Sequence, residues 1–337
     1  MKICICGGGS LGHVCAGVIA SSGEHEVSLF TGHPDLWTDS LFVTDNSRNV
    51  YSARLAAVSN MPADVIPGQD IVFLCLPGFM IEKTLEDIRP YVGNAVVGSI
   101  VSSTGFFSFA HKVLGQDAAL FGFQRTPFIA RVDEYGKSAR LLGYKPRVYI
   151  YAENVPDPDS FRSIVERMFI TPTALLDNIY EASLTNSNPI LHTGRLYSMF
   201  KEYETAEFDH NILFYKEWTD ESSEMIITMD EEFGLLLKAL GVDRERVPSL
   251  LDYYEAADAR SLTEKISGIE AFQKITSPMK KVGKNKWTVD FSSRYFTEDF
   301  PFGLKLICDL AHTNRISVPT MDEVLQWGMN MIGHNNG

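Results

Sequence analysis

Along the first half of the chain, short apolar runs alternate with stretches whose apolar positions recur every three to four residues. Lys2 to Cys6, Glu26 to Thr31, Val50 to Val58, Ile71 to Leu76 and Ala95 to Val101 read as strands, whereas Leu11 to Ser21 and Ile81 to Tyr91 read as helices. This alternation predicts a parallel sheet covered by helices. The run Ile71-Val72-Phe73-Leu74-Cys75-Leu76 has no polar member, which predicts a central strand buried on both faces. Arg140 to Tyr144 and Arg147 to Tyr151, separated by Lys145-Pro146, read as a hairpin added to that sheet.

From Asn178 onward strand signals are scarce and helical patterns dominate, at Pro189 to Lys201, Trp218 to Leu240, Ser261 to Ile275, Gly303 to Thr313 and Thr320 to Ile332. Gly241, Pro248, Pro278, Gly283, Pro301 and Pro319 punctuate them, with no fixed-period repeat. The expected organisation is an α/β domain with a parallel sheet over residues 1–172 and a mainly α-helical domain over 173–337. The polar end from His334 to Gly337 is expected to fray.

The 337 residues suit two domains at roughly 100 to 200 residues each. With 45% hydrophobic residues the chain can fill its cores without disulfide or metal staples. Thirty Lys and Arg against 43 Asp and Glu leave a net charge of −13, so no long-range positive field gathers nucleic acid or anionic lipid. Local Arg or Lys groups can still bind a small carboxylate. The start lacks the pattern of a secretory leader, and the longest apolar stretch, broken at Pro77, is far short of the roughly 20 residues that span a bilayer. A cytoplasmic protein with neither a membrane nor a nucleic-acid partner is expected.

Five cysteines, at 4, 6, 15, 75 and 308, lie in apolar runs and read as small core residues. A reactive thiol at Cys6 or Cys75 is the other reading. The sequence contains no HExxH and no paired Cys/His ligand set, so no metal is expected.

Gly7-Gly8-Gly9-Ser10-Leu11-Gly12 matches GxGxxG directly after a predicted strand and opens a predicted helix. Gly7 permits the tight turn, Gly9 lets backbone approach a pyrophosphate, and Gly12 lets the helix pack closely on the strand. The helix start, with Ser10 and Leu11, then offers free N–H groups to a diphosphate. Leu76 and Pro77, at the carboxyl end of the central strand, should border the same ligand. Thr31 stands where an NAD site usually carries a carboxylate, and no Arg follows to grip a 2′-phosphate; His33 and Asp35 are the nearby alternatives. NAD and NADP both stay open.

Asn188-Pro189 resembles a helix start, with Asn188 as the cap and Pro189 first in the helix, which places His192 near the first turn as a candidate general acid/base. A core or surface histidine with no catalytic role is the plainer alternative. In Ser293 to Leu304, Arg294 can clamp a carboxylate and Asp299 can orient a histidine. Equally, Asp299 can cap the following helix and Arg294 pair with a surface acid. The turn Phe123-Gln124-Arg125-Thr126-Pro127 leaves the sheet on its ligand side, making Gln124 and Thr126 candidate substrate contacts or merely a strand exit. Lys280 to Lys286 is a basic stretch that reads as a solvated loop or an anchor for an anionic tail, and the acidic clusters Asp220-Glu221 and Asp230-Glu231-Glu232 read as solvent faces.

Three features together carry a family resemblance: the glycine loop, an N-P-x-x-H motif followed by Gly194 one place early, and R-Y-x-x-E-D-x-P-x-G-L from Arg294 to Leu304. On them the chain resembles the octopine/nopaline, or opine, dehydrogenases over nearly its whole length. The resemblance implies an N-terminal Rossmann domain and a C-terminal domain of 6-phosphogluconate-dehydrogenase type. It implies NAD(P)H-dependent reductive condensation of a 2-oxo acid with the amino group of an amino acid, and leaves a homodimer open. His192 and Asp299 match the family's acid/base pair, and Arg294 the arginine that holds a substrate carboxylate. Thr31, Gly8 and Ser10 depart from the pattern and leave the cofactor preference open. A ketopantoate-reductase-like or 2-hydroxyacid dehydrogenase, and a dinucleotide-binding sensor without turnover, are the rival expectations.

Overall fold

In the computed structural model, which describes residues 1–103, 105–202 and 208–334, the first strand, β1 (Lys2–Cys6), runs through the centre of an eight-stranded sheet. The chain continues through α1 (Ser10–Ser21), β2 (Glu26–Phe30), β3 (Ser40–Asp45), β4 (Val50–Arg54), β5 (Ala57–Ser59), α2 (Pro62–Val65), β6 (Ile71–Leu74) and α3 (Gly78–Ile88). It then forms β7 (Val96–Ser99), α4 (Phe106–Leu114), β8 (Leu120–Phe123), β9 (Phe128–Glu134), β10 (Ser138–Tyr144), β11 (Val148–Glu153), α5 (Pro158–Phe169), β12 (Thr173–Leu175) and α6 (Ile179–Ser183).

The large sheet has the order β12-β11-β8-β7-β6-β1-β2-β5. From β5 to β8 every pairing is parallel, the doubly wound arrangement that places a ligand at the carboxyl ends of the central strands. All four residues of β6 are buried between β1 and β7, as its unbroken apolar run predicts. A second sheet, β4-β3-β10-β9, packs on α1, so this helix is covered from both sides and most of its length is buried.

Two sequence expectations are corrected here. Val50 to Val58 is not one strand: it divides into β4 in the small sheet and β5 at the edge of the large one. Nor do Arg140 to Tyr144 and Arg147 to Tyr151 form a hairpin. β10 pairs with β9 and β3, whereas β11 pairs with β8 and β12 in the other sheet. A tight hairpin needs positive φ at its turn, and Gly136 supplies it (φ +72°) between β9 and β10, while no residue from 145 to 147 does.

The chain divides into two compact units, Met1–Thr185 and Asn186–Gly337, against the 172/173 boundary expected from pattern. β12 is an edge strand of the large sheet and α6 packs on β11, so the first unit extends past them.

The second unit contains α7 (Asn188–Phe200), α8 (Asp220–Ala239), α9 (Leu250–Tyr254), α10 (Ala259–Gly268), the hairpin β13 (Met279–Gly283) and β14 (Lys286–Val289), and then α11 (Arg294–Thr297), α12 (Lys305–Thr313) and α13 (Pro319–His334). The basic stretch is therefore an antiparallel hairpin, turning at Asn285 (φ +53°), rather than a loop. Asp220, Glu221 and Glu231 are exposed as expected, but two neighbours do structural work. Asp230 is buried and accepts the Leu250 N–H at 3.0 Å, and the Glu232 carboxylate accepts the N–H groups of Thr320 and Met321 at the start of α13. Asn335 to Gly337, expected to fray, lie outside the described residues. All five cysteines are free and buried; burial raises the thiol pKa of Cys75 and Cys308, and hydrogen bonding with Cys4, followed by burial, raises that of Cys6. Among the described residues no helix is long and apolar enough to cross a membrane.

Candidate functional site

In the first unit the glycine loop joins β1 to α1. Gly7 has φ +121°, and a Cβ there would lie 2.5 Å from the Cys75 carbonyl oxygen. A Cβ on Gly12 would overlap the Gly7 carbonyl oxygen, so the helix start sits directly on the loop. Gly9 caps α1 with no side-chain hydrogen bond, and the space where its side chain would be is open. Free helical N–H groups facing open space favour an anion there. A cavity of about 360 Å³ is lined by Gly7, Gly8, Gly9, Thr31, Leu76 and Tyr135, among others. These features fit a dinucleotide.

The remaining cofactor candidates divide. Leu76 lines the cavity and Pro77 caps α3 beside it. Leu11 is partly buried against the core. The Ser10 hydroxyl accepts the Val132 N–H at 3.2 Å, tying the loop to β9. Elsewhere in this unit the Gln124 side-chain amide donates to the Glu181 carbonyl (3.1 Å), Arg125 donates to the Thr185 carbonyl (3.2 Å), and Thr126 is half-buried.

In the second unit the cap of α7 is Ser187, one residue before the expected Asn188, with Pro189 in the first turn. His192 lies one turn further on and is buried. Its Nδ1 is 2.8 Å from Asp299 Oδ2, and its Nε2 is 2.8 Å from the Tyr215 hydroxyl. A carboxylate can only accept, so Nδ1 carries the proton, and Nε2 of the neutral ring accepts from Tyr215. Burial, followed by neighbouring Tyr295, Tyr254 and Asp299, raises the Tyr215 pKa, which keeps its hydroxyl proton in place. The Tyr295 ring lies against His192 with a centroid separation of 4.7 Å.

The backbone around Asp299 explains how a residue 107 positions away reaches this ring. The side chain of Asp299 does not cap the next turn, as the alternative reading had it. Instead Phe300–Leu304 forms one π-helical turn, closed by Leu304 N–H to Asp299 C=O at 2.8 Å, a device found mainly at functional positions. A Cβ on Gly303 would lie 2.8 Å from Pro189 Cγ, and one on Gly194 2.8 Å from Ile226 Cγ2. The two motifs that carry His192 and Asp299 are thus pressed together through their own proline and glycine.

Arg294 is engaged within its own helical turn. Its Nε and Nη2 donate to the two oxygens of Glu298 at 2.8 and 2.7 Å, with the arginine side chain 79% exposed. Arg294 thus pairs with an acid, as the alternative expects, although Glu298 is partly buried rather than on the surface.

Sequence reasoning missed three residues. Tyr295 stands in the R-Y-x-x-E-D motif but was given no role there, and the signal for Tyr215 was an aromatic-rich run from Phe214 to Trp218. Arg195 is almost fully buried and donates to the carbonyls of Phe214 and Glu217 and the hydroxyls of Thr219 and Ser222. Burial lowers its pKa to about 10. It ties α7 to the segment that delivers Tyr215.

Comparison with known proteins places these features. The family model described as NAD/NADP octopine/nopaline dehydrogenase, alpha-helical domain, matches residues 175–332. Opine dehydrogenase of Haliotis discus hannai is 26% identical over 99% of this chain and 90% of its own length, and tauropine dehydrogenase of Arabella iricolor is 25% identical over 98% and 91%. Octopine dehydrogenase solved with NADH and L-arginine shares the fold at a TM-score of 0.86 and 23% identity, covering 99% of this chain and 90% of that one. NADP+-bound yersinopine dehydrogenase does so at 0.74 and 13%, over 99% and 91%. Residues 175–332 thus match the helical domain of the octopine/nopaline dehydrogenase family, and the chain is similar to these dehydrogenases over nearly its whole length.

Proposed function

We propose that the protein is an NAD(P)H-dependent dehydrogenase acting on CH–NH groups, which condenses a 2-oxo acid with the amino group of an amino acid and runs the oxidative reverse. One observation carries the reading: His192 is held between Asp299 and Tyr215 in a unit whose sequence matches the family's helical domain. Relatives named opine, octopine and tauropine dehydrogenase, and neighbours solved with NADH together with L-arginine or pyruvate, support the substrate classes.

NAD(P)H, bound at the glycine loop, supplies the hydride. The chain's own residues manage charge and protons. Addition of the amine to the oxo carbon requires the nitrogen to lose a proton, and collapse of the carbinolamine to the imine requires the departing hydroxyl to gain one. A neutral His192 accepts at Nε2 and then donates, serving both steps. Asp299 holds the tautomer and stabilises the imidazolium formed between them. The Tyr215 hydroxyl, already on Nε2, is the group through which or in place of which a substrate proton reaches the ring.

Arg294 presents a two-pronged fork that matches a carboxylate, and in this reading the oxo acid takes the place of Glu298 on it. Gln124 and Thr126 are proposed as further substrate contacts. A cytoplasmic location and a homodimer are parts of the same proposal, checked by fractionation and light scattering.

The test follows NADH and NADPH absorbance with pyruvate and other 2-oxo acids, each with and without a panel of amino acids. Oxidation is expected only when both substrates are present. Oxidation with the oxo acid alone would replace this reading with a hydroxyacid dehydrogenase, and cofactor binding without turnover on any pair would favour a sensor.

A further inference from the structure

The end of β2 is where a dinucleotide site selects its cofactor, because a carboxylate there binds the ribose hydroxyls of NAD and an arginine accommodates the 2′-phosphate of NADP. Neither residue type stands at this position. Thr31 follows β2 directly and is buried, with its backbone N–H donated to the Ser59 carbonyl. Across from it the Tyr135 hydroxyl, from the turn between β9 and β10, lies 3.4 Å from Thr31 Oγ1. The two hydroxyls crowd the second glycine of the loop so closely that a Cβ on Gly8 would stand 2.5 Å from the Tyr135 oxygen and overlap Thr31 Oγ1. Both residues line the cavity.

Tyr135 is firmly placed. His13 Nδ1 donates to the Gly9 carbonyl at 3.0 Å, and its Nε2 accepts the Gly136 N–H at 2.7 Å. The Gly136 carbonyl in turn accepts the Thr38 N–H at 3.1 Å. The Tyr135 ring packs edge-on against both His13 and Trp37. One buried imidazole thus joins the glycine loop to the turn that carries Tyr135.

We infer that Thr31 and Tyr135 form a hydroxyl pair that takes the ribose-recognition role of the missing carboxylate, that His13 is its positioning residue, and that the pair selects NADH over NADPH. This rests on the cofactor reading above and settles which of the two dinucleotides it concerns. Hydroxyls suit a ribose hydroxyl, but they leave a 2′-phosphate without a cation. Among the described residues no Lys or Arg lines the cavity, and the acid on its wall, Asp87, is held by Lys83 at 2.9 Å.

The experiment measures dissociation constants of NADH and NADPH by nicotinamide fluorescence, without substrate or turnover, for the wild type and for Y135F, H13Q and H13L, with thermal midpoints recorded to confirm folding. The wild type is expected to bind NADH at least about tenfold more tightly than NADPH. Loss of one neutral hydrogen bond, about 0.5–1.5 kcal/mol, should weaken NADH roughly 2- to 10-fold in Y135F with little change for NADPH. H13Q, which keeps an acceptor and a donor, should bind NADH more tightly than H13L. Preference for NADPH, or equal effects of Y135F on both cofactors, overturns the inference alone. Failure of the wild type to bind either dinucleotide overturns it together with the cofactor reading.

Discussion

His192 Nδ1 and Asp299 Oδ2 lie 2.8 Å apart although 107 residues separate them in sequence. The contact depends on α7 and the π-helical turn being pressed together, and it leaves Nε2 as the one ring atom able to take a proton. Asp299→Asn keeps the shape but lets the amide donate to Nδ1, which favours the wrong tautomer. Its kcat is expected to fall by about 10²–10⁴-fold with a nearly unchanged thermal midpoint. Tyr215→Phe should lower kcat by a smaller factor, since His192 survives in it. Steady-state kinetics with both substrates decides this, and near-normal turnover of Asp299→Asn would remove the pair from catalysis.

Arg294 offers a sharper discrimination because its exposed guanidinium is already paired with the partly buried acid Glu298. Arg294→Lys retains the charge and loses the fork. The KM for the oxo acid should rise roughly tenfold, about 1.4 kcal/mol, with little change in kcat or in stability, exposed pairs contributing roughly 0–1 kcal/mol. An unaltered KM would leave Arg294 as a partner of Glu298 and nothing more.

Gly303 has no room for a methyl group against Pro189. Gly303→Ala must separate α7 from the π turn or strain one of them, at a cost of about 1–3 kcal/mol. Denaturant unfolding should show that loss. Because Asp299 starts the same turn, kcat should drop as well, and a stable variant of normal activity would show that the turn does not hold Asp299 in place.

A buried histidine also makes stability depend on pH. Burial lowers the pKa of His13, and its Nε2 must stay unprotonated to accept from Gly136. In the unfolded chain the ring titrates near 6.5. The stability gained by keeping the ring neutral is therefore fully present above about 6.5 and is lost as pH falls from there toward the lowered folded value. Urea midpoints at pH 7.5 and 5.5 should differ more in the wild type than in His13→Gln. Equal differences would mean that other groups set the acid sensitivity.

Much of the frame was legible because it depends on local pattern. The apolar run at β6, the strand-loop-helix context of the glycines and the helical periods after Asn188 each follow from short-range sterics and burial. Where the pattern failed, pairing partners were at issue: β10 and β11 are equally apolar neighbours, and only their places in different sheets separate them. The acidic clusters failed for the same reason, since Asp230 and Glu232 look like solvent charges until Leu250 and the start of α13 are brought to them.

The sequence by itself determined the glycine loop and the helical nature of the second unit, because glycine spacing and apolar period are written in consecutive residues; the pairing of His192 with Asp299 was implied only by the family resemblance and is made by the fold. Only the tertiary structure decided that Tyr215 completes the histidine's hydrogen bonds and that Tyr135 stands over Thr31. Hydrogen bonds reach only about 3 Å, and the partners in these contacts come from elements whose distance along the chain carries no periodic trace.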